Sequence, residues 1–270
     1  MPLPEPRLLD IDIPSRPEAI VRLTLLLAED DVDLHALARL IEGDMALAAA
    51  VLKAVNSSLY GLNGRVKSVQ QAITYLGLGE VAAVTLEMGL RAVFPAALEL
   101  QPLWERAARR GTLMGRIGAA LGVDPWAAHS AGLFEECGKA VLFRHDAARY
   151  RPLLAAAQDD CDLLYVEHAA FGISHDALGA ALCERWGLAD AAVASVRHHV
   201  TVQATHELPA GVARRSVCAL SALAHALMTA PDTLEEVAQR VAPQTEMDEA
   251  LVLRGARRVQ QQLTAAAARG

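Results

Sequence analysis

The chain has 270 residues, of which 53% are apolar, 21% are charged and only 4% are aromatic. This composition provides enough apolar material for a folded core and excludes global disorder. Ala and Leu supply most of the apolar bulk, and both favour helices, so the composition also argues against a β-sandwich or β-barrel. The net charge of −7 argues against a general nucleic-acid-binding protein.

Neither a secretory leader nor a membrane anchor is expected. The first residues, Met1–Arg7, contain no basic start followed by an apolar segment. The longest apolar run, Met45–Leu52, is much shorter than the roughly 20 residues that cross a bilayer. The four cysteines form no CxxC pair, so neither a zinc knuckle nor a disulfide framework is predicted. These features predict a protein of the reducing cytoplasm without a membrane partner.

Five helices are predicted in the first hundred residues, because apolar positions recur there at helical spacing. The fifth is expected from about Glu80 to Val93, since Pro95 would stop it. Gly77 and Gly79 are expected to form a tight joint before it. The predicted N-terminal signals are the caps Asp33 and Asp44 and the capping boxes Ser15–Glu18 and Ser68–Gln71.

The second part of the chain predicts further helices and no strand, so the predicted fold class is all-α. A helix over 101–121 is closed by Gly122, and Asp124–Pro125 starts the next helix, which is expected to continue through Val141. The polar segment 200–212 is expected to be a loop. The other predicted helices are 147–158, 161–170, 175–186, 189–199, 213–229, 232–241 and 246–265.

Five phrases of the sequence carry a resemblance to a known family. They are LARLIEGDMALAAAVLKAVNSSLYG at 37–61, VKSVQQAITYLGL at 66–78, AHSAGLFEECGKAVL at 128–142, GISHDALGAALCERWGL at 172–188 and SVRHH at 195–199. In this order and spacing they resemble the HDOD domain, an output module related to HD-type phosphohydrolases, over about residues 14–230. The resemblance implies an N-terminal helical bundle (14–100) packed on an HD-like helical bundle (101–230). A C-terminal helical extension (231–270) follows.

The chain departs from the metal-dependent relatives at the positions that the resemblance makes important. HD phosphohydrolases hold divalent cations with a His, an adjacent His-Asp pair and a later Asp, and the cations activate a water. Glu135 and Glu136 stand in place of the His-Asp pair, and no His follows Trp104 in the first long HD helix. His225 stands at the expected place of the late Asp. With all three elements altered, the resemblance implies no catalytic residue and no cofactor; a metal is possible but not expected.

Several side chains remain candidates for a site in this degenerate cleft. One interpretation is a residual metal or phosphate site; the other makes the histidines capping and packing groups, since imidazole is favoured at helix C-termini. Adjacent helical residues point about 100° apart, so His198 and His199 are not expected to bind one ion together. The two glutamates either act as paired acid–base groups or pair with basic residues, with Lys139 four positions after Glu135. The candidates are Glu135, Glu136, His175, His198, His199 and His225.

A basic stripe is predicted on the helix over 101–121, formed by Arg106, Arg109, Arg110 and Arg116. One interpretation is a contact for an anion such as a nucleotide, a phosphorylated partner or an acidic helix. The other is a solvated face with no ligand.

The segment beyond residue 230 lies outside the resemblance and predicts an amphipathic helix. The helix either docks on its own domain or pairs with a second copy to form a homo-oligomer. Its apolar stripe is predicted to contain Met247, Leu251, Val259 and Leu263.

These observations predict a non-catalytic bacterial regulatory protein of signal transduction. It would act by binding another signalling protein, or a small anionic ligand or nucleotide, on a degenerate HD scaffold. One alternative is a divergent metal-dependent phosphohydrolase, and a second is a nucleotide sensor that uses the arginine stripe. The phosphohydrolase would use Glu135, Glu136, His175, His198 and His225.

Overall fold

The computed structural model describes residues 11–29, 31–57, 60, 62, 64–210 and 215–267. These residues form fifteen α-helices and three short 3-10 turns, with no strand among them, which confirms the all-α prediction. The N-terminal helices are α1 (Glu18–Leu27), α2 (Leu34–Glu42), α3 (Met45–Val55), α4 (Val69–Leu76) and α5 (Leu78–Arg91). The later helices are α6 (Gln101–Leu121), α7 (Pro125–Phe134), α8 (Cys137–His145), α9 (Ala147–Ala156), α10 (Asp160–Phe171), α11 (His175–Arg185), α12 (Asp190–Thr205), α13 (Ser216–Thr229), α14 (Leu234–Val241) and α15 (Glu249–Ala267). None of the described helices combines the length and apolar character needed to cross a bilayer.

Most of the predicted helix starts are confirmed, because their signals act on neighbouring backbone atoms. The Asp44 carboxylate accepts hydrogen bonds from the backbone N–H groups of Ala46 and Leu47, and Asp33 and Ser68 cap α2 and α4 in the same way. The capping box predicted at Ser15–Glu18 is wrong. Extended Pro17 is the residue before α1, and no side chain caps that helix.

Two predicted boundaries are also wrong. The helix expected to run from residue 125 through Val141 is broken at Glu135–Glu136, between α7 and α8. Apolar spacing continues on both sides of the break, so the pattern does not reveal it. Helix α12 extends to Thr205, into the predicted loop 200–212, because Val202 and Gln203 are buried. Residues 211–214 of that loop lie outside the described residues.

Two hydrophobic clusters form the core. The larger contains side chains from α1–α5, the start of α6 and α7–α12, so it lies on both sides of the subdomain boundary predicted near residue 100. The smaller joins α6, α7 and α12 with α13–α15. Within it, α15 buries Val252, Ala256 and Val259 against the same chain, whereas Leu251 of the predicted stripe is 53% exposed. The homo-oligomer remains a prediction.

Close helix contacts at two glycines bring the site residues together. A Cβ atom added to Gly132 of α7 would lie 2.9 Å from the carbonyl oxygen of Arg110 in α6. One added to Gly138 of α8 would lie 1.8 Å from the carbonyl oxygen of His175 in α11. Both helix pairs therefore pack backbone to backbone, which places polar side chains of α6, α8 and α11 within reach of one another.

Candidate functional site

Two glutamates at the joint between α7 and α8 are the centre of a buried ion-pair network. Glu135 and Glu136 are buried, and both face Arg110 of α6. Arg110 Nε lies 3.2 Å from Glu135 Oε2, and Arg110 Nη1 lies 2.9 Å from Glu136 Oε1. Arg106 donates to both oxygens of Glu136, at 3.2 and 3.0 Å. This is the two-pronged geometry in which guanidinium binds carboxylate most strongly.

The ammonium group of Lys139 extends the network to Asp160 in α10. Its Nζ atom lies 3.0 Å from Glu136 Oε2 and 2.7 Å from Asp160 Oδ1, and its side chain is 1% exposed. The predicted pairing of Lys139 with Glu135 is therefore wrong. Because α7 ends before the glutamates, Glu135 instead accepts a hydrogen bond from Gln203 and faces Arg110.

The two glutamates differ in acidity. Burial raises the pKa of Glu135 to about 7, although Arg110 acts in the opposite direction. Burial also opposes the ionisation of Glu136, but Lys139, Arg110 and Arg106 together hold its pKa well below the ordinary value. Glu136 is therefore a permanent anion surrounded by three cations, and Glu135 is the member of the network that can change its protonation near neutral pH.

The four arginines of α6 do not form one exposed stripe. Arg106 and Arg110 turn toward Glu136, and Arg116 Nη2 lies 3.0 Å from Glu80 Oε1 in α5. Arg110 is only 3% exposed, so the interpretation of the stripe as a solvated face is wrong for this residue. Arg109 is exposed, and no ion pair involves it among the described residues.

A histidine cluster adjoins the network at Asp160. Asp160, His175 and His199 each place one ligand atom within 4.8 Å of the other two. His175 Nδ1 lies 2.7 Å from Glu167 Oε2, and His199 Nδ1 lies 2.7 Å from the Val196 carbonyl oxygen. Carbonyl and carboxylate oxygens only accept hydrogen bonds, so both Nδ1 atoms donate. The nitrogen left free on each ring is Nε2, which is buried and without a partner among the described residues.

Glu167 holds the ring of His175 in place. One carboxylate oxygen accepts from the Tyr150 hydroxyl, and the other accepts from the backbone N–H and Nδ1–H of His175. Gly172, in the left-handed conformation, ends α10 and lets α11 return beside it. The short connection thus brings Glu167 against the first residue of α11.

His198 and His225 lie outside this cluster. His198 precedes His199 on α12 but is only half-buried. Neighbouring helical residues point about 100° apart, so the two histidines are not expected to face the same site. His225 is half-buried on α13, and burial together with nearby Arg110 lowers its pKa. The six predicted candidates therefore divide into three pairs. Glu135 and Glu136 lie in the glutamate network, His175 and His199 form the buried histidine pair, and His198 and His225 belong to neither group.

A metal held at the positions of Glu135 and Glu136 does not fit these residues. A guanidinium and an ammonium group already lie at hydrogen-bonding or ion-pair distance from their carboxylates. A divalent cation there would have to displace Arg110 or Lys139 and leave it buried without its partner, which is energetically costly.

Sequence reasoning missed Asp160 and Glu167 and misjudged Arg110. Asp160 is in the acidic first turn of α10, where carboxylates are common because the helix dipole favours them. Glu167 precedes the quoted phrase at 172–188. The 106/110 spacing shows that two arginines share a helix face, but their carboxylate partners come from the joint between α7 and α8.

The comparisons agree with this fold. The HDOD domain family model matches residues 13–202. An uncharacterized protein of Treponema pallidum is 27% identical over 206 residues, and the match spans 73% of this chain but only 38% of that protein.

Three solved structures also share the fold. An HDOD domain protein of Geobacter sulfurreducens has a TM-score of 0.70 and 21% identity, with coverage of 95% of this chain and 92% of that one. A candidate phosphohydrolase of Shewanella amazonensis has a TM-score of 0.69 and 18% identity, and the match covers 95% of this chain and 94% of that one. A candidate signal-transduction protein of Marinobacter aquaeolei has a TM-score of 0.71 and 22% identity, and the match covers 95% of this chain but 59% of that one. At these identities the likeness concerns the fold alone.

Proposed function

The chain belongs to the HDOD family, and from that premise we propose that it acts without catalysis, as a regulatory binding protein of signal transduction. One observation carries this proposal: Arg110 pairs with the carboxylates of both Glu135 and Glu136, and Lys139 pairs with the carboxylate of Glu136. In HD phosphohydrolases, those positions supply metal ligands. Here the side chains of the chain itself neutralise the carboxylates.

The consequence for chemistry follows from what a hydrolytic metal does. Such an ion lowers the pKa of a bound water and polarises the phosphate. Guanidinium and ammonium groups can stabilise negative charge, but they cannot ionise a coordinated water. Each carboxylate oxygen of Glu136 accepts two hydrogen bonds, which come from Arg106, Arg110 and Lys139. Glu136 therefore has no free oxygen to serve as a base.

The surface offers one groove that suits a regulatory partner. A groove of about 860 Å³ lies between α3, α5, α6, α13 and α15, with Met88, Leu227 and Leu263 among its apolar residues. Lys53, Arg91 and Arg109 supply positive charge at this groove, and Glu87 and Glu105 supply negative charge, so basic groups exceed acidic ones by one. A signalling protein with an acidic segment, or a small anionic ligand, would match an apolar surface that carries basic groups.

The proposal is tested by two measurements on the full chain. The first is hydrolysis of phosphomonoesters and phosphodiesters with Mn²⁺, Fe²⁺, Mg²⁺ or Ni²⁺; the expected result is no turnover above that of the metal alone. Turnover that His175→Ala abolishes would overturn the proposal.

The second measurement is co-purification from lysate of the source cell. Wild type should retain a specific partner that Arg109→Glu loses and Arg258→Glu retains. Arg258 is an exposed arginine of α15 that does not line the groove, so it controls for the change in charge. If wild type, Arg109→Glu and Arg258→Glu recovered every captured protein equally, the proposal that the partner binds in the groove would be contradicted.

A divergent phosphohydrolase is the second candidate, and one observation favours it. Asp160, His175 and His199 have the donor types of a metal site, although Asp160 was not among the predicted residues. The hydrolysis panel decides between the two functions. The nucleotide sensor has less support, because Arg106, Arg110 and Arg116 are already paired with carboxylates of the chain.

A further inference from the structure

We propose that Asp160, His175 and His199 form a binding site for one divalent transition-metal ion. The proposed site shares Asp160 with the glutamate network but no other residue. The proposal does not depend on whether the protein binds a signalling partner. It rests on the convergence of three side chains from α10, α11 and α12, and on the two histidine Nε2 atoms that have no hydrogen-bond partner among the described residues.

The convergence comes from the packing of the helices. His175 begins α11, where Gly138 of α8 approaches its backbone, and His199 lies on α12, which packs along α11. The centres of the two imidazole rings are 5.4 Å apart. One ligand atom of each residue, including a carboxylate oxygen of Asp160, lies within 4.8 Å of the others. One ion can therefore contact all three after small side-chain adjustments.

The free nitrogens require a partner that the described residues do not supply. Both Nδ1 atoms donate hydrogen bonds, so in the neutral rings both Nε2 atoms present lone pairs. Two lone pairs cannot hydrogen-bond to each other. Leaving a buried polar atom unsatisfied costs about 1–3 kcal/mol. A cation between the two nitrogens satisfies both at once.

The surroundings have the form of the outer shell of a metal site. Metal-binding histidines characteristically donate their second N–H to a carboxylate or a backbone carbonyl, which fixes the ring. Here His175 donates to Glu167 and His199 donates to the Val196 carbonyl. Both rings are thus held with Nε2 available, before any ion binds.

Asp160 completes the donor set and leaves a path to solvent. Its Oδ1 atom pairs with Lys139, so the second carboxylate oxygen remains for an ion. Its side chain is 30% exposed, whereas His175 and His199 are buried. Two imidazoles and one carboxylate suit Zn²⁺, Fe²⁺ or Ni²⁺, and they disfavour Mg²⁺ and Ca²⁺, which take oxygen ligands.

The test is metal binding by the full chain, purified without a histidine tag and stripped with a chelator. Titration calorimetry and metal analysis after desalting should give one Zn²⁺ or Ni²⁺ per chain and no Mg²⁺. Asp160→Asn and His199→Gln should each weaken binding at least about 100-fold, since loss of an outer-shell group alone costs 10–100-fold. His198→Gln, which alters the neighbouring half-buried histidine, should bind as wild type does.

Cobalt gives a readout that is independent of affinity and activity. Co²⁺ in the wild-type site should produce visible ligand-field bands that change in Asp160→Asn and in His199→Gln but not in His198→Gln. Circular dichroism identifies which variants are folded, and partly exposed Asp160 provides a test if a buried histidine variant fails to fold. The proposal is overturned if the folded, stripped chain takes up no ion at a metal concentration of about 100 μM. It is also overturned if Asp160→Asn and His199→Gln bind the ion as tightly as wild type does.

Discussion

Replacing Glu136 with Gln tests the buried ion-pair network most directly. The substitution keeps the shape of the side chain and removes one negative charge. Glu136 is 1% exposed and accepts from Arg106, Arg110 and Lys139. In Glu136→Gln, those three cations share only Glu135 and Asp160. Because burial raises the pKa of Glu135 to about 7, that residue is only partly charged at neutral pH.

The expected cost is large because buried Arg110 and Lys139 cannot move to solvent without breaking the packing. Removing one partner of a buried ion pair destabilises proteins by about 3–5 kcal/mol. In chains of comparable size each kcal/mol lowers Tm by roughly 2–4 °C. We therefore expect Glu136→Gln to lower Tm by about 10 °C or to prevent folding at 37 °C.

The assay is thermal and urea unfolding followed by circular dichroism, with Glu235→Gln as the matched control. Glu235 pairs with Arg257, and both side chains are more than half exposed, at 57% and 53%. Exposed pairs contribute less than about 1 kcal/mol, so the control should change Tm by no more than a few degrees. Equal, small shifts in the two variants would refute the reasoning that Glu136 is a buried, multiply paired anion.

Three further predictions follow from the same structure. The raised pKa of Glu135 makes the folded chain hold a proton that the unfolded chain releases, so stability should fall by about 3 kcal/mol as the pH rises from 4.5 through 7. Urea unfolding at several pH values should show this fall in wild type but not in Glu135→Gln; parallel curves would contradict it. Gly138→Ala should cost more than about 4 kcal/mol or abolish folding, whereas Gly79→Ala, with no atom within 4 Å of the added Cβ, should melt within a few degrees of wild type. Asp44→Ala should lower stability by about 1 kcal/mol in urea unfolding, through loss of the α3 cap, and an unchanged midpoint would argue against that cap.

Local signals made much of the fold predictable from the sequence. Asp33, Asp44 and Ser68 act on backbone atoms two or three residues away, so the chain itself carries the information. The break at Glu135–Glu136 had no such signal, because the two carboxylates are held by side chains of another helix. Their partner Arg110 is 26 residues from Glu136 in the chain.

The histidine cluster was out of reach for a similar reason. The sequence singled out His175 and His199 but grouped them with Glu135, Glu136 and His225. The structure groups them with Asp160, which looks like an ordinary acidic residue in the first turn of α10. Which polar residues meet depends on how α10, α11 and α12 pack, and helical periodicity describes only the faces of single helices.

The buried ion pairs of Glu135 and Glu136 can stabilise this helical scaffold as a bound metal ion would. A divalent ion in such a site neutralises carboxylates and ties together the helices that carry them. Arg110 and Lys139 do both here, since they link α6, α8 and α10 through Glu135, Glu136 and Asp160. These cations are side chains of the protein itself, so the links that they make do not depend on a bound ion. Variants of Glu136 should therefore change the stability of the fold, while variants of His175 and His199 report on any metal.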